Sequence, residues 1–468
     1  MSSGLYGILN LTTGALFSTQ TAIEVTGHNI ANVNTQGYTR QEVLFEPNAP
    51  HHVYGVYIGR GVTIRTVRAN ENRYINYQIY RNSSLLGSME AQARNISSLE
   101  EIFNESMSEG FSYSLNSFFQ SLGDLASAPE GQPERTAVIG AARSLVTNFH
   151  LMDSRLTEIA AASNNEVKYL ISGINQLAEE IADLNQKIMN IESSGQNAND
   201  FRSMRAQLMT ELAEKIDFTS FEDDKGMVTI MVGNGMPLVE NVSHGTLVGI
   251  NNTDNNNYFD VYFEDGNGNQ FDITSQIQGG SIHGVLNIRD SVIANLRSSI
   301  DDIAFTLVNS FNAQHQAGWT LNGTTGVDFF ASLAGSEGAA AAIEIDPSVL
   351  NDVNNIAAGA TNSAGDNNNA LALSGLQDEL LFNGGAWNFQ DEYSSIVSEV
   401  GSESRRMING YEHQLEITTQ VINARESVAG VSMEEEMANL IRYQESYQAC
   451  ARLFNTVSEL VEVLVSLH

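Results

Sequence analysis

The sequence predicts a mainly α-helical protein with a smaller β domain. In this prediction the long terminal helices form an α-helical coiled-coil domain, and a helical-bundle rod domain carries an inserted β domain. Two observations predict this class. Apolar residues recur at helical spacing at both ends of the chain and through residues 170–191, whereas residues 227–273 combine apolar–polar alternation with turns rich in Asn and Gly. Of the 468 residues 42% are hydrophobic, which is enough to bury the cores of roughly three domains.

The chain is strongly acidic. It carries 56 Asp and Glu residues against 23 Lys and Arg residues, a formal net charge of −33. A charge of this sign repels DNA, RNA and anionic membrane surfaces, so we expect no nucleic-acid or membrane partner. The sequence shows neither a cleaved secretory signal nor an apolar stretch of spanning length, and the default expectation is therefore a soluble cytoplasmic protein.

Residues 1–50 are predicted to be the N-terminal part of the terminal helical domain. Leu9, Leu16, Ile23 and Ile30 lie seven residues apart, which is typical of one face of a long helix. The turn-forming residues of Asn-Thr-Gln-Gly-Tyr at 34–38 end that helix, and extended segments follow.

Residues 51–216 and 281–428 are assigned to the two parts of the helical rod domain. Its most regular period alternates steps of four and three residues, as in a coiled coil or a long helical hairpin. The residues of this period are Leu170, Ile174, Leu177, Ile181, Leu184, Ile188 and Ile191. A Gly- and Asn-rich stretch at 318–370 interrupts the second part, and packing on the β domain is the expectation for it.

Residues 217–280 are predicted to form the inserted β domain. Apolar and polar residues alternate from Met227 to Val232, and strands are expected at 258–263 and 270–273 around an Asp-Gly-Asn-Gly-Asn turn. Asp265, Asn267 and Asn269 have the spacing of a calcium loop. Position six of that loop is not Gly and position twelve is not Glu, so a hairpin turn is the favoured interpretation.

Residues 429–468 are predicted to be the C-terminal part of the terminal helical domain. Ser432 followed by Glu435 has the pattern of a capping box, which starts a helix. Its heptad-spaced seam is Leu440, Tyr443, Tyr447, Cys450, Phe454, Val457, Val461 and Leu464. We predict that this seam and the N-terminal row form the subunit interface, because two long helices joined only at their base leave apolar faces bare. The alternative is that these stripes are an ordinary intramolecular core.

No residue is assigned a catalytic, cofactor-binding or metal-binding role, and the chain is not expected to be an enzyme. The histidines show no metal-ligand spacing, no nucleophile or phosphate-loop motif occurs, and the single Cys450 cannot form an internal disulfide.

One basic stretch stands out from the acidic background. It contains Arg60, Arg65, Arg68, Arg73 and Arg81, with Glu71 as the only acidic residue among them. Two interpretations stay open: contact with acidic faces of neighbouring subunits, or a solvated ribbon with weak local ion pairs.

Several motifs carry a resemblance to a known family. Asn29, Ile30, Ala31 and Asn32, followed by Gly37, Tyr38, Thr39 and Arg40, resemble the N-terminal signature of the bacterial flagellar rod and hook axial proteins. Four further motifs follow. Residues 279–290 read Gly-Gly-Ser-Ile-His-Gly-Val-Leu-Asn-Ile-Arg-Asp, and residues 311–318 read Phe-Asn-Ala-Gln-His-Gln-Ala-Gly. Residues 366–373 read Asp-Asn-Asn-Asn-Ala-Leu-Ala-Leu, and the motif at 430–454 begins Gly-Val-Ser-Met-Glu-Glu-Glu-Met-Ala-Asn-Leu-Ile-Arg-Tyr-Gln. They are similar, in this order, to the hook-associated members of the family.

The resemblance implies a structural component of the flagellum that polymerises at the distal end of the hook and adapts it to the filament. The alternatives are a hook or rod protein of the same family, or a surface adhesin built on an axial scaffold. The implied partners are further copies in a ring-like homo-oligomer, the flagellar hook protein, a second hook–filament junction protein, and a cytoplasmic export chaperone at the C-terminal helix. The implied location replaces the cytoplasmic default: outside the cell, after type III export without a cleaved signal peptide.

Overall fold

The computed structural model describes residues 2–35, 37–53, 56–104 and 110–466. Long helices dominate it, and the strands form small antiparallel sheets, which confirms the predicted fold class. The helices are α1 (Ser2–Ala31), α2 (Arg73–Phe103), α3 (Phe111–Ser127), α4 (Gln132–Glu192), α5 (Asn199–Lys215), α6 (Gly280–Asn287), α7 (Ile293–Ala317), α8 (Ala339–Ala342), α9 (Pro347–Asn351), α10 (Asn368–Gly375), α11 (Phe389–Ala429) and α12 (Met433–Ser466). In the described ranges, no helix combines the length and the apolar character that crossing a membrane requires.

A two-stranded ribbon follows the first helix. β1 (Gln41–Pro47) pairs antiparallel with β4 (Val62–Ala69), with an irregularity between Leu44 and Phe45. Between them β2 (His51–Val53) pairs with β3 (Val56–Ile58). The extended conformation expected after residue 38 is therefore present.

The larger hydrophobic core lies among α3, α4, α7, α10 and α11. Phe118 stands at its centre, with its ring centroid 5.2 Å from that of Phe311 and 5.8 Å from that of Phe329. Phe329, Phe330, Ile343 and other apolar residues of the stretch 318–370 belong to this core. The expectation that this stretch packs on the β domain is therefore wrong, because its buried apolar residues complete the helical core instead.

The second core joins the predicted β domain to the helices. β5 (Thr219–Glu222), β6 (Val228–Val232), β7 (Met236–Glu240) and β8 (Ser243–His244) form one antiparallel sheet in chain order, and β9 (Thr246–Asn252), β10 (Tyr258–Glu264) and β11 (Gln270–Asp272) form another in the order β11-β10-β9. Their apolar faces pack on the second half of α4, where Ile174 and Ile181 are fully buried. The apolar residues of the regular period at 170–191 thus pack against strands as well as against a neighbouring helix.

Helices α2, α5 and α6 approach one another closely at glycine residues, where backbone meets backbone. A Cβ added at Gly284 of α6 would overlap the backbone oxygen of Ser88 in α2 and lie 2.8 Å from Cβ of Ala91. These positions need glycine because another backbone occupies the space of a side chain.

The two terminal helices pack along each other, and α1 also contacts β1 and β4. No described residue of α1 or α12 belongs to either hydrophobic core. The most buried row of α1 is Thr12, Thr19 and Thr26, spaced by seven residues, with relative exposures of 0%, 8% and 4%. The N-terminal row that the sequence predicts, starting at Leu9, is only half-buried. Small side chains let the neighbouring elements approach more closely than Leu or Ile would.

Candidate assembly interface

The end of α1 is fixed by one buried amide. The side chain of Asn29 is 1% exposed. Its Nδ2 donates hydrogen bonds to the carbonyl of Gln41 (2.9 Å) and to Oε2 of Glu436 (3.0 Å), and its Oδ1 accepts from the backbone N–H of Gln41 (3.0 Å) and from the hydroxyl of Tyr38 (2.9 Å). These four bonds use the full hydrogen-bonding capacity of an amide side chain.

Glu436 connects this network to the C-terminal helix. It is 2% exposed and lies in the first turn of α12, where the helix dipole favours a carboxylate. Its Oε1 accepts from Nε of Arg40 at 2.8 Å and lies 2.8 Å from the Arg40 NH2 group, and Arg40 also reaches Glu435 at 3.4 Å. We call Asn29, Tyr38, Arg40 and Glu436 the clamp, because they join the two ends of the chain.

The start of α12 is where the sequence predicts it. The backbone N–H of Glu435 donates to Oγ of Ser432 at 3.5 Å, and α12 begins at the next residue, Met433. This cap places Glu436 one turn into the helix, facing Arg40.

The rest of the N-terminal motif ties the clamp to the body of the molecule. Gly37, with φ of +77°, has its carbonyl within 2.7 Å of the Arg425 guanidinium, which also donates to Oγ1 of Thr39 at 3.1 Å. The backbone N–H of Arg40 donates to the carbonyl of Ala429 at 2.8 Å. The motif turn is thereby fastened to the end of α11.

A second set of contacts reaches α5. The side chain of Gln41 donates to Oδ1 of Asp200 at 2.6 Å, and Nε2 of His28 lies 3.9 Å from the same carboxylate. His28 also bonds the Tyr38 hydroxyl at 3.0 Å through Nδ1. Burial, followed by the charge of Asp200, raises the pKa of Tyr38 well above its usual value, so this hydroxyl stays protonated.

The other motif residues close the turn. Asn32 donates to the carbonyl of His28 at 3.0 Å and accepts from Thr35 at 3.1 Å, whereas Ile30 is half-buried and Ala31 is exposed. Most residues of the N-terminal signature therefore position the terminal helices.

The predicted interface residues lie together within one chain. The half-buried residues on α1 are Leu9, Leu16, Ile23 and Ile30, and those on α12 are Leu440, Tyr443, Cys450, Phe454 and Val461. Of the other two seam residues, Val457 is 4% and Tyr447 is 38% exposed. The Tyr443 ring centroid lies 6.2 Å from that of Phe45 in β1. The side chain of Leu464 falls outside the described residues. This pattern indicates that most of the predicted seam already packs inside the molecule.

A different set of apolar side chains on α12 faces solvent. We call this set the free apolar face: Met433, Met437 and Ile441 at the start of the helix and Leu453, Leu460 and Val463 in its second half, which together spread over the solvent-facing side of α12, with exposures between 42% and 57%. On α1, Tyr6 and Phe17 are 55% and 67% exposed. An apolar surface of this kind on a strongly charged chain is typical of a protein–protein interface.

The remaining motifs act inside the helical body. His315 is fully buried; its Nδ1 bonds the carbonyl of Val327 at 2.7 Å, and its Nε2 accepts from the backbone N–H of Ala357 at 2.9 Å. Burial lowers the pKa of His315 to about 4, so the ring is neutral at pH 7. Asn312 bonds the backbone of Phe329 and Phe330 at 2.8 to 3.0 Å. Both side chains fasten the stretch 318–370 to α7.

The motif at 279–290 fastens the β region in the same way. The Arg289 guanidinium is bidentate to Asp290 and reaches Oδ1 of Asn164 in α4 and the carbonyl of Phe259 in β10. At the β10–β11 turn, Oδ1 of Asp265 accepts from the backbone N–H groups of Asn267 and Asn269. These bonds are those of a hairpin turn, as the sequence analysis favours. In the described part of the chain, no group of three or more His, Cys, Asp or Glu side chains is placed to hold a metal ion.

Sequence reasoning missed the partners that complete the clamp. Glu436, Asp200 and Arg425 lie far from Asn29 and Arg40 in the sequence, and their residue types alone do not mark them, whereas Gln41 directly follows Arg40. The only available signal is that Glu436 sits in the acidic first turn after the Ser432 cap.

Comparison with known proteins identifies the family. Residues 96–330 match the family model described as the flagellar hook-associated protein FlgK helical domain. Residues 9–39 match the flagella basal body rod protein model, and residues 425–467 match the flagellar basal body rod FlgEFG protein C-terminal model. The two rod-protein models thus cover the two ends of the chain, where they include Asn29, Tyr38 and Glu436 of the clamp.

Full-length relatives agree with this match. Flagellar hook-associated protein 1 of Escherichia coli (strain K12) is 24% identical over 98% of this chain and 100% of its own length. The protein of the same name from Bacillus subtilis (strain 168) is 26% identical over 97% of this chain and 96% of its own.

A solved structure shares the fold. The flagellar hook junction protein FlgK from Burkholderia pseudomallei aligns with a TM-score of 0.68 and 12% identity, covering 75% of this chain and 100% of that chain. Because the helical-domain model matches half of the chain, the chain belongs to the FlgK family of flagellar hook-associated proteins and is a structural component of the hook–filament junction of the bacterial flagellum.

Proposed function

We propose that the chain assembles with further copies of itself into a ring at the distal end of the hook, through its paired terminal helices. In this arrangement the hook protein lies on one side of the ring and a second hook–filament junction protein on the other. The observation that carries the proposal is the free apolar face of α12, where Ile441 is 54% and Leu460 is 52% exposed. Covering such side chains on association stabilises a complex by removing apolar surface from water.

The position of the terminal helices supports this proposal. They lie outside both hydrophobic cores of the described chain, so new neighbours can pack against them without any rearrangement of the body. The clamp supports it further, since its hydrogen bonds and ion pair hold α12 to α1 and fix which faces of the pair point outward. The seam from Leu440 to Val461 is predicted from the sequence as subunit interface; because most of it is already half-buried within the chain, we propose it as the inner contact and the free apolar face as the contact between subunits in its place.

The proposal extends to domain organisation. We assign residues 1–50 and 429–468 to the terminal helical domain, 51–216 and 281–428 to the rod domain, and 217–280 to the inserted β domain. The structure departs from this assignment in one respect already described, which is that the stretch 318–370 packs with the helical core.

We also propose that the chain leaves the cell through the flagellar type III export apparatus without a cleaved signal peptide and functions outside the cell. Before export, a cytoplasmic chaperone would bind α12, because its apolar side chains would otherwise promote aggregation. The proposed role is structural, with no enzymatic step.

The test of the main proposal is the location of the chain in cells that carry a tagged copy in place of their own. Immunogold labelling is expected at a single position between the hook and the filament. Cells without the gene are expected to complete their hooks, bear no filaments and release filament subunits into the medium. Labelling along the whole hook or the whole filament would contradict a junction role.

The chaperone proposal has a separate test. The full chain and the fragment 1–430 are each mixed with the flagellar export chaperones of the same cell and recovered by affinity. Binding by the full chain alone is expected. Equal binding of both would show that α12 is not the recognised element.

A further inference from the structure

The basic stretch at residues 60–81 remains unexplained by the clamp and by the free apolar face. It contains five of the 23 basic residues and one of the 56 acidic residues, which leaves 18 basic against 55 acidic residues in the rest of the chain. A neighbouring copy therefore presents mostly negative surface, and this stretch is the part of the chain that such a surface attracts.

The structure leaves these arginines available to a partner. Arg60, Arg65, Arg68, Arg73 and Arg81, which we call the arginine strip, are all exposed. Arg68 lies 3.6 Å from Glu42 and Arg73 lies 3.1 Å from Glu222, with each arginine more than half exposed. Within the described ranges, Arg60, Arg65 and Arg81 form no ion pair with any carboxylate.

The part of the strip on α2 has the composition of an energetically important contact. Arg73, Tyr77 and Arg81 are spaced by four residues and share one face of the helix. Tyr77 is 52% and the adjacent Tyr74 is 68% exposed. Exposed Tyr and Arg together are the residue types enriched at the centres of interfaces.

A cleft beside this face offers space for a partner's side chain. It consists of two adjoining pockets between α2 and β5, which share Tyr77, Tyr80 and Ser220 in their lining. Arg73 lines one pocket together with Glu71 and Glu222, and Arg81 lines the other together with Asp217. Because Arg73 already pairs with Glu222, the guanidinium that a partner's acidic side chain would meet beside the aromatic rings is that of Arg81.

We infer that the arginine strip is a second subunit contact, which receives an acidic surface of a neighbouring copy of this chain. This inference rests on the proposed function, since it needs copies to be neighbours in the junction. The contact lies on the body of the molecule and is distinct from the paired terminal helices.

The direct test is zero-length cross-linking in isolated flagella. The chain has four Lys residues, at 168, 187, 215 and 225, so an Arg81→Lys variant keeps the charge and adds a traceable amine. A carbodiimide joins such an amine only to a carboxylate in contact with it. The expected product is a covalent dimer of this chain in which peptide mapping places one end at residue 81. Arg405→Lys, an exposed arginine of α11 outside the strip, is the matched control and is expected to give no dimer.

Two results would overturn the inference: the absence of a dimer through residue 81, or a product joining residue 81 to a different protein. A failure of the proposed function gives a different result from a failure of this inference. If the proposed function is wrong, the chain is missing from the isolated junctions before any cross-linker is added.

Charge reversal gives an independent measurement. Arg65→Glu with Arg81→Glu is expected to lower the fraction of filament-bearing cells at least tenfold, whereas Arg65→Lys with Arg81→Lys is expected to retain it. The melting temperature of the purified reversal variant should stay that of the wild type, since neither arginine has an internal ion pair. Normal filament assembly by the reversal variant would overturn the inference.

Discussion

The Nδ2 group of Asn29 donates a 3.0 Å hydrogen bond to Oε2 of Glu436, 407 residues farther along the chain. Both side chains are buried, with exposures of 1% and 2%. This bond and the adjacent pairing of Glu436 with Arg40 join the first and last helices at one point, from which the two helices run together. The orientation of the proposed assembly surface therefore depends on a few polar side chains.

Removing the charge of Glu436 is expected to loosen the terminal helices. In Glu436→Gln the Arg40 guanidinium loses its buried ion pair, and hydrogen bonds to charged groups contribute about 1.5 to 3 kcal/mol. Proteolytic cleavage between residues 32 and 45 should become at least tenfold faster, while the melting temperature of the body stays the same. The control is Glu434→Gln, an exposed residue of the same turn. Equal cleavage rates in the two variants would show that the clamp does not hold the ends together.

His315 is expected to make stability depend on pH. Its pKa in the folded chain is about 4, below the value of about 6.5 for an unfolded histidine, so folding favours the neutral ring. The stabilising contribution is fully present above pH 6.5 and is lost as the pH falls toward 4, by roughly 3 kcal/mol in total.

Urea unfolding at pH 7 and pH 4.5 tests this expectation against His315→Gln, which cannot titrate. The variant should be less stable at pH 7, and its free energy of unfolding should fall less than that of the wild type between the two pH values. An identical fall in both proteins would assign the pH dependence to the carboxylates alone.

Gly284 is expected to be essential for the crossing of α2 and α6. In Gly284→Ala the new methyl group meets the backbone of Ser88, which cannot move without separating the helices. Overpacking of this kind costs about 1 to 3 kcal/mol. Gly140→Ala is the matched control: its added Cβ contacts nothing within 4 Å, and replacing a helical glycine should stabilise by roughly 1 kcal/mol. Opposite signs in thermal unfolding are expected, and a neutral Gly284→Ala would contradict the close crossing.

The sequence predicts the helices and strands well because their signals are local. Helix α4 shows the predicted period, with Ile174, Ile181 and Ile188 fully buried, and β10 and β11 begin at the expected residues, Tyr258 and Gln270. Each of these depends on spacing within one segment, which a single sequence displays.

What the sequence does not predict are pairings between distant segments. The sequence around Phe329 and Ile343 does not indicate which core they join. The stretch that contains them packs on the helices, although packing on the β domain is the expectation from the sequence. On α1 apolarity favours Leu9 and Leu16 as the buried residues. Thr12 and Thr19 are buried instead, because their hydroxyls bond to the helix backbone. The sequence does not predict the clamp for the same reason, because Glu436 lies 407 residues from Asn29 and 396 residues from Arg40.

In the proposed assembly the paired terminal helices present the subunit contact through the free apolar face. Leu453 and Leu460 lie seven residues apart on that face and are 46% and 52% exposed. Leu453→Asp with Leu460→Asp should leave the free protein stable, since each new carboxylate is hydrated there. In an assembly that covers them, an unpaired buried carboxylate costs several kcal/mol, on the order of 3 to 5.

The most direct measurement is the amount of this double variant in isolated hook–filament junctions, relative to the amount in the medium. Leu371→Asp, a leucine of α10 with 53% exposure, is the control on the body. We expect the double variant to be exported, to retain the wild-type melting temperature and to be recovered in junctions at one tenth of the wild-type level or less, while the control incorporates normally. Incorporation of the double variant at the wild-type level would contradict a subunit contact through the free apolar face.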